Sequence, residues 1–131
     1  LTSPQEALEK ILKQYPHLKR ESIIFVWTTI NKYVQYIADT TPVDEKEPRV
    51  PTTKNLVDDI PRFFVYLLGK DADVICRTFQ INSYYTFGQI LDSFVKVDFF
   101  KYGKEDSLDH FNIDSDLIFD IRVRKQLFIQ V

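Results

Sequence analysis

Ser83-Tyr84-Tyr85-Thr86-Phe87-Gly88-Gln89-Ile90-Leu91-Asp92-Ser93-Phe94-Val95-Lys96-Val97-Asp98-Phe99-Phe100 is the stretch around which the rest of the chain is arranged. Phe87, Ile90, Leu91, Phe94 and Val95 recur at i, i+3, i+4, i+7 and i+8, which puts all five on one face of a helix. An apolar face of that width must be covered, and the other apolar segments supply the cover. Gly88 weakens such a helix by about 1 kcal/mol relative to alanine, which implies that another backbone packs closely there. The opposite side carries Gln89, Asp92 and Lys96, and Tyr85, with a net charge near zero.

On either side the chain supplies partners for this helix. Before it, Asp71 is placed to cap a short helix bearing Ala72, Val74, Ile75 and Phe79, and Gln80-Ile81-Asn82 forms a turn. After it, Tyr102-Gly103-Lys104-Glu105-Asp106-Ser107 is a turn signal, and the span from Leu108 to Asp120 mixes apolar and acidic residues without helical period. Helix, turn, helix and polar turn is the order of a helix-turn-helix or winged helix. Glu105, Asp106 and Asp109 make that turn acidic, and acid repels phosphate, so the expected binding surface (Gln89, Asp92, Lys96, Glu105, Asp106, Asp109) suits protein rather than DNA.

The tail reads as a strand. Ile121, Val123, Leu127, Ile129 and Val131 alternate with Arg122, Arg124, Gln126 and Gln130, and only Lys125 and Phe128 fall out of step. The expected fold is therefore mainly α with a small C-terminal β element, an α+β class with a winged-helix-like centre and a terminal strand over 121–131. An open strand edge invites pairing, so a homodimer through the C-terminal strand is one expectation. Arg122, Arg124 and Lys125 form a small basic patch on it, read as the solvent face of a half-buried strand.

Further outward, Thr52 or Thr53 caps a helix with Leu56, Val57, Ile60, Phe64, Leu67 and Leu68 on one face, closed by Gly69. Pro61 costs about 3 kcal/mol inside an uninterrupted helix, which predicts a kink or break near Asp59 or Ile60. Residues 40–51 hold Pro42, Pro48 and Pro51 and the charged run Asp44-Glu45-Lys46-Glu47, and so read as an exposed loop. From Lys19 to about Asp39, Ile23, Val26, Trp27, Ile30, Val34 and Ile37 predict the longest helix, widened by Ile24, Tyr33 and Tyr36 and so covered on more than one side. Ser3-Pro4-Gln5-Glu6 opens a first helix as a capping box, and Tyr15-Pro16 ends it.

Composition sets the limits of function. The 131 residues are the size of one domain. Seventeen basic and nineteen acidic residues leave a net charge of -2, which disfavours nucleic acid and anionic membrane surfaces. A single cysteine, Cys76, forms no internal disulfide; no apolar run reaches the ~20 residues of a bilayer span and no signal-peptide pattern opens the chain, so a cytoplasmic setting without membrane contact is expected.

Reactive constellations are sparse. Glu105, Asp106, Asp109, His110, Asp114 and Asp116 form the sole acidic candidate for a metal, but the glycine and glutamate of a calcium loop are out of register, so a solvated turn is expected. Ser107 and His110 stand three apart on a turn, a spacing that is weak evidence for a nucleophile and base. Cys76 among Val74, Ile75 and Phe79 reads as core. Three scattered glycines build no phosphate loop. No catalytic residue, metal or cofactor is assigned.

Gln14-Tyr15-Pro16-His17-Leu18, Phe25-Val26, Leu56-Val57 with Ile60, Leu68-Gly69, Thr86-Phe87-Gly88-Gln89-Ile90 and Glu105-Asp106-Ser107-Leu108-Asp109-His110-Phe111 are similar in order and spacing to motifs of the Minf family of small bacterial proteins. The resemblance is collinear from about Thr52 to Phe119, looser before it, and does not include the tail. Members carry an Asp-Pro-Arg-Tyr-like motif at Tyr15-Pro16-His17-Leu18, a His-Val-Ser-Gly-Gln stretch at Val50-Pro51-Thr52-Thr53-Lys54, and Trp-Gly at Phe79-Gln80. This chain lacks that histidine, and with it any chemistry the residue carries in relatives. The resemblance implies a bacterial, soluble, single-domain protein and brings no activity with it. The expected function is a non-enzymatic protein-interaction module with an unidentified protein partner; the alternatives are a small metal-dependent enzyme using the acidic 105–116 segment and a DNA-binding winged helix.

Overall fold

A computed structural model describes residues 3–42, 44, 46 and 49–129, with the side chains of Phe128 and Ile129 excepted. Among the described residues six α-helices follow one another: α1 (Pro4–Gln14), α2 (Arg20–Thr40), α3 (Thr53–Leu68), α4 (Ala72–Thr78), α5 (Tyr84–Lys96) and α6 (Leu117–Ile129). Two 3-10 turns, Gly69–Asp71 and Leu108–Phe111, join α3 to α4 and interrupt the long connection before α6.

Helix ends follow local chemistry. Ser3 caps α1 by accepting from the Glu6 amide, Thr52 caps α3 through the Asn55 amide, and Ser83 caps α5 through the Thr86 amide. Gly69 closes α3 at a positive φ of 70°, where a glycine carries no steric cost. Asp71 stands at the N-cap of α4, but its side chain makes no capping bond.

α5 lies at the centre. It packs on α2, on α1 and on the Leu108–Phe111 turn, while α3 runs against α4 and α6. Phe87, Ile90 and Phe94 are buried, and Phe87 stacks on Phe111 at 6.0 Å between ring centroids. Gly88 makes that approach possible, because a Cβ there would overlap Cβ and Cγ of Phe111. The close neighbour is thus a ring, where a backbone was expected. Trp27 of α2 sits among Phe94, Phe99 and Phe100, closing the other end of α5.

The expected α+β class is corrected: no strand occurs among the described residues. The terminal strand expected over 121–131 is helix as far as Ile129, and residues 130 and 131 lie outside the described part. Taken in steps of four, Leu117 and Ile121 turn inward and are fully buried, and half-buried Lys125 follows them. The alternation arose because the outer side of the same helix also carries apolar residues. With no strand after α5, the winged-helix-like centre falls as well; α4 and α5 are two successive members of the helical bundle.

One further expectation, the break near Pro61, is corrected. α3 runs unbroken through Pro61, which is buried within it. α2 is covered on more than one side, by α1 and α5 and, through Phe25 and Tyr33, by α3, while Ile24 and Val34 remain exposed. Of the loop expected over 40–51, residues 43, 45, 47 and 48 lie outside the described part; Thr40 ends α2 and the described remainder has no regular structure.

Three tyrosines clasp the architecture across element boundaries. Tyr33 of α2 donates to Asp59 of α3 at 2.8 Å, and Tyr84 of α5 donates to Asp120 of α6 at 2.6 Å. Tyr102, beyond α5, donates to Asp92 within it at 2.6 Å. Asp59 also accepts from Arg49 and Arg62, so its buried carboxylate is fully engaged.

Candidate functional site

The N-terminus of α3 gathers the polar side chains of the connection before α6. Thr53 is buried, its amide donates to Asp106 Oδ1 at 2.9 Å, and Asp106 Oδ2 accepts the Gly103 amide at 2.7 Å. The Thr53 hydroxyl accepts the Ser107 amide at 3.0 Å and lies 2.6 Å from His110 Nδ1. With one lone pair taken by Ser107, the hydroxyl is free to donate to Nδ1; the imidazole then keeps its proton on Nε2. Ser107 is no partner of His110 by side chain: its Oγ accepts the Asp109 amide at 3.1 Å. The hydroxyl beside the imidazole belongs to Thr53, which is 57 residues away in sequence and carries no local signal of this role.

Beside this node opens a cleft of about 230 Å³ between α2, α3 and α5. Ile30, Val34, Leu56, Leu91, Val95 and Phe100 give it apolar walls, and Lys101, Tyr102 and Asp106 also line it. For scale, an apolar cavity of ~150 Å³ accommodates benzene. A single ring or branched aliphatic side chain is the natural guest.

The expected surface residues divide in two. Asp106 lines the cleft, and Asp92 is tied to the cleft wall by the Tyr102 hydroxyl. Gln89, Lys96, Glu105 and Asp109 are exposed and make no side-chain hydrogen bond or ion pair among the described residues. Burial and the bond to the Asp92 carboxylate both raise the Tyr102 phenol above its ordinary range. It stays a donor throughout the neutral range.

Other candidate chemistry is absorbed by structure. Among the described residues no group of three or more His, Cys, Asp or Glu is close enough together to hold a metal ion. Asp116 instead caps the start of α6 by accepting the Phe119 amide. Cys76 is fully buried, and burial followed by the charge of Asp73 pushes its thiol up to about 12. Of the basic patch, Arg122 and Lys125 both bond Asp73 of α4, at 3.1 and 2.7 Å. Burial alone raises the Asp73 carboxyl, but these two cations outweigh it and hold the group down at about 2. His17 is exposed, edge-on to Tyr15.

No described helix is long and apolar enough to cross a membrane. No protein-family model, no curated protein and no solved structure matches the chain.

Proposed function

We propose that this chain is a non-enzymatic protein-interaction module that receives an apolar side chain of its partner in the cleft between α2, α3 and α5. One observation carries the reading: the cleft is lined mainly by apolar side chains, while among its polar lining residues Asp106 accepts the Thr53 amide and the Thr53 hydroxyl is engaged by His110 and the Ser107 amide. Groups so engaged hold a shape; they are not poised to attack a substrate. Exposed Glu105 and Asp109 follow in the same connection, so a partner whose apolar anchor is flanked by basic residues fits best. Lone, buried Cys76 goes with a reducing, cytoplasmic setting.

The enzymatic alternative has the 2.6 Å Thr53–His110 contact in its favour. Against it, Thr53 is only 5% exposed and its oxygen already accepts a backbone amide. The DNA alternative retains Arg124 alone of its three cations without an ion pair among the described residues.

Affinity capture with the wild-type chain beside a Val34→Glu variant tests the module. Val34 is 46% exposed on the cleft wall, so the change places charge in the cleft without disturbing the core. Partners retained by the wild type and lost by the variant are expected. Identical partner lists, or an esterase activity abolished by His110→Ala, overturn the reading.

A further inference from the structure

α6 is apolar on two opposite sides. Leu117 and Ile121 are fully buried, yet Phe119, Val123 and Leu127 are 61%, 42% and 55% exposed. At 100° per residue the three exposed side chains fall within an arc of about 80°, centred roughly 140° from the buried face. A helix apolar on both faces belongs inside a larger structure. Tyr66 of α3, 65% exposed, extends this surface, sharing with Leu127, Arg62 and Arg124 a groove of about 340 Å³.

We propose that a second copy of this chain covers this face, with the two α6 helices packed antiparallel about a two-fold axis at Val123. The surface is distinct from the cleft that carries the proposed function. Its spacing is self-complementary: Phe119 and Leu127 each lie four residues from Val123, so the two-fold brings each Phe119 onto the other copy's Leu127. There the ring enters the groove beside Tyr66, under the guanidinium groups of Arg62 and Arg124.

Charge selects the direction. Asp120 lies in the first half of α6 and Arg124 in its second, both toward one flank of the exposed arc, whereas Arg122 and Lys125 turn away to Asp73. Antiparallel packing brings acid toward base, and parallel packing sets like against like. A ridge of residues four apart packs into its own copy with a crossing angle near ~50° in magnitude, which confines contact to the middle of the helix. The four exposed side chains offer roughly 400 Å² per copy, about half of what a stable complex buries. The dimer is therefore weak and concentration-dependent.

Sedimentation velocity between roughly 10 μM and 1 mM, the range such an interface implies, reads the outcome. The mass of the wild-type chain is expected to rise from 15.5 kDa toward twice that value. Phe119→Asp and Leu127→Asp, both at exposed positions, are expected to remain at the monomer mass with unchanged far-UV ellipticity. Val123→Cys is expected to form a covalent dimer on air oxidation, whereas Gln89→Cys on α5 does not; buried Cys76 contributes no background. A constant monomer mass, growth beyond the dimer, an unaffected Phe119→Asp variant, or equal cross-linking at both cysteines overturns the proposal. Val34→Glu leaves the mass unchanged if the two surfaces are independent, so this proposal and the cleft reading fail separately.

Discussion

Gly88 and Phe111 form a single packing unit contributed by two distant segments. The glycine removes a side chain from the buried face of α5, and the Phe111 ring lies where that side chain would be. Gly88→Ala therefore sets a helix-propensity gain of about 1 kcal/mol against an overpacking cost of about 1–3 kcal/mol. The clash falls at the root of the Phe111 side chain, which a rotamer change does not move away. We expect a net loss of about 1 kcal/mol in urea denaturation, and a gain from the same substitution once Phe111 is replaced by alanine. Equal effects in both backgrounds refute the coupling. The same logic explains why the Thr53 node was illegible in sequence: Ser107 and His110 are neighbours along the chain, but the tertiary fold places a third residue between them.

At the scale of elements, α6 is held to α4 by one carboxylate with two cations. Asp73 is folded with a pKa of about 2 against an ordinary 3.8. The unfolded chain binds that proton more tightly, so the stabilisation is complete above pH 4 or so and vanishes as pH falls through about 2. Its size is about 2 kcal/mol or less, because Arg122 is half-exposed and screened by solvent. Asp73→Asn should lower the urea midpoint near neutral pH, with the gap to wild type closing on acidification; a gap independent of pH rejects the linkage. Lys125 was one of the two residues that broke the alternating pattern of the tail. In a helix it falls in line with Leu117 and Ile121, where its ammonium meets Asp73. Periodicity located α1, α2, α3 and α5 because in each the apolar residues form one continuous face, and it misjudged α6 because that helix has two separate ones. Pro61 misled for a different reason: packing of α3 along its buried side outweighs one missing backbone hydrogen bond.

For the molecule as a whole, most of the apolar residues join one core, from Ala7 in α1 to Ile121 in α6. The helices other than α6, and their approximate bounds, were readable from spacing and caps. Their mutual arrangement was not, because the polar contacts that register them are long-range: Tyr33 with Asp59, Tyr84 with Asp120, Arg122 with Asp73. The tyrosine clasps also make the fold a store of protons against base. Burial first, and then the bonded carboxylate, raises all three phenols above their ordinary 10.0. Each clasp is intact below pH 10, and above it the unfolded chain alone releases the proton readily. Three such groups acting together erode stability by about 4 kcal/mol for every pH unit past that point. Against a typical stability of about 5–15 kcal/mol, alkaline unfolding is expected above pH 10, as one steep step in which phenolate absorbance and loss of ellipticity coincide. Tyr84→Phe should make that step shallower by close to one proton, and a step that keeps its slope disproves the account. The same clasps that fix the helices in place thus set an upper pH limit on the fold, at which three ionisations and the loss of structure are a single event.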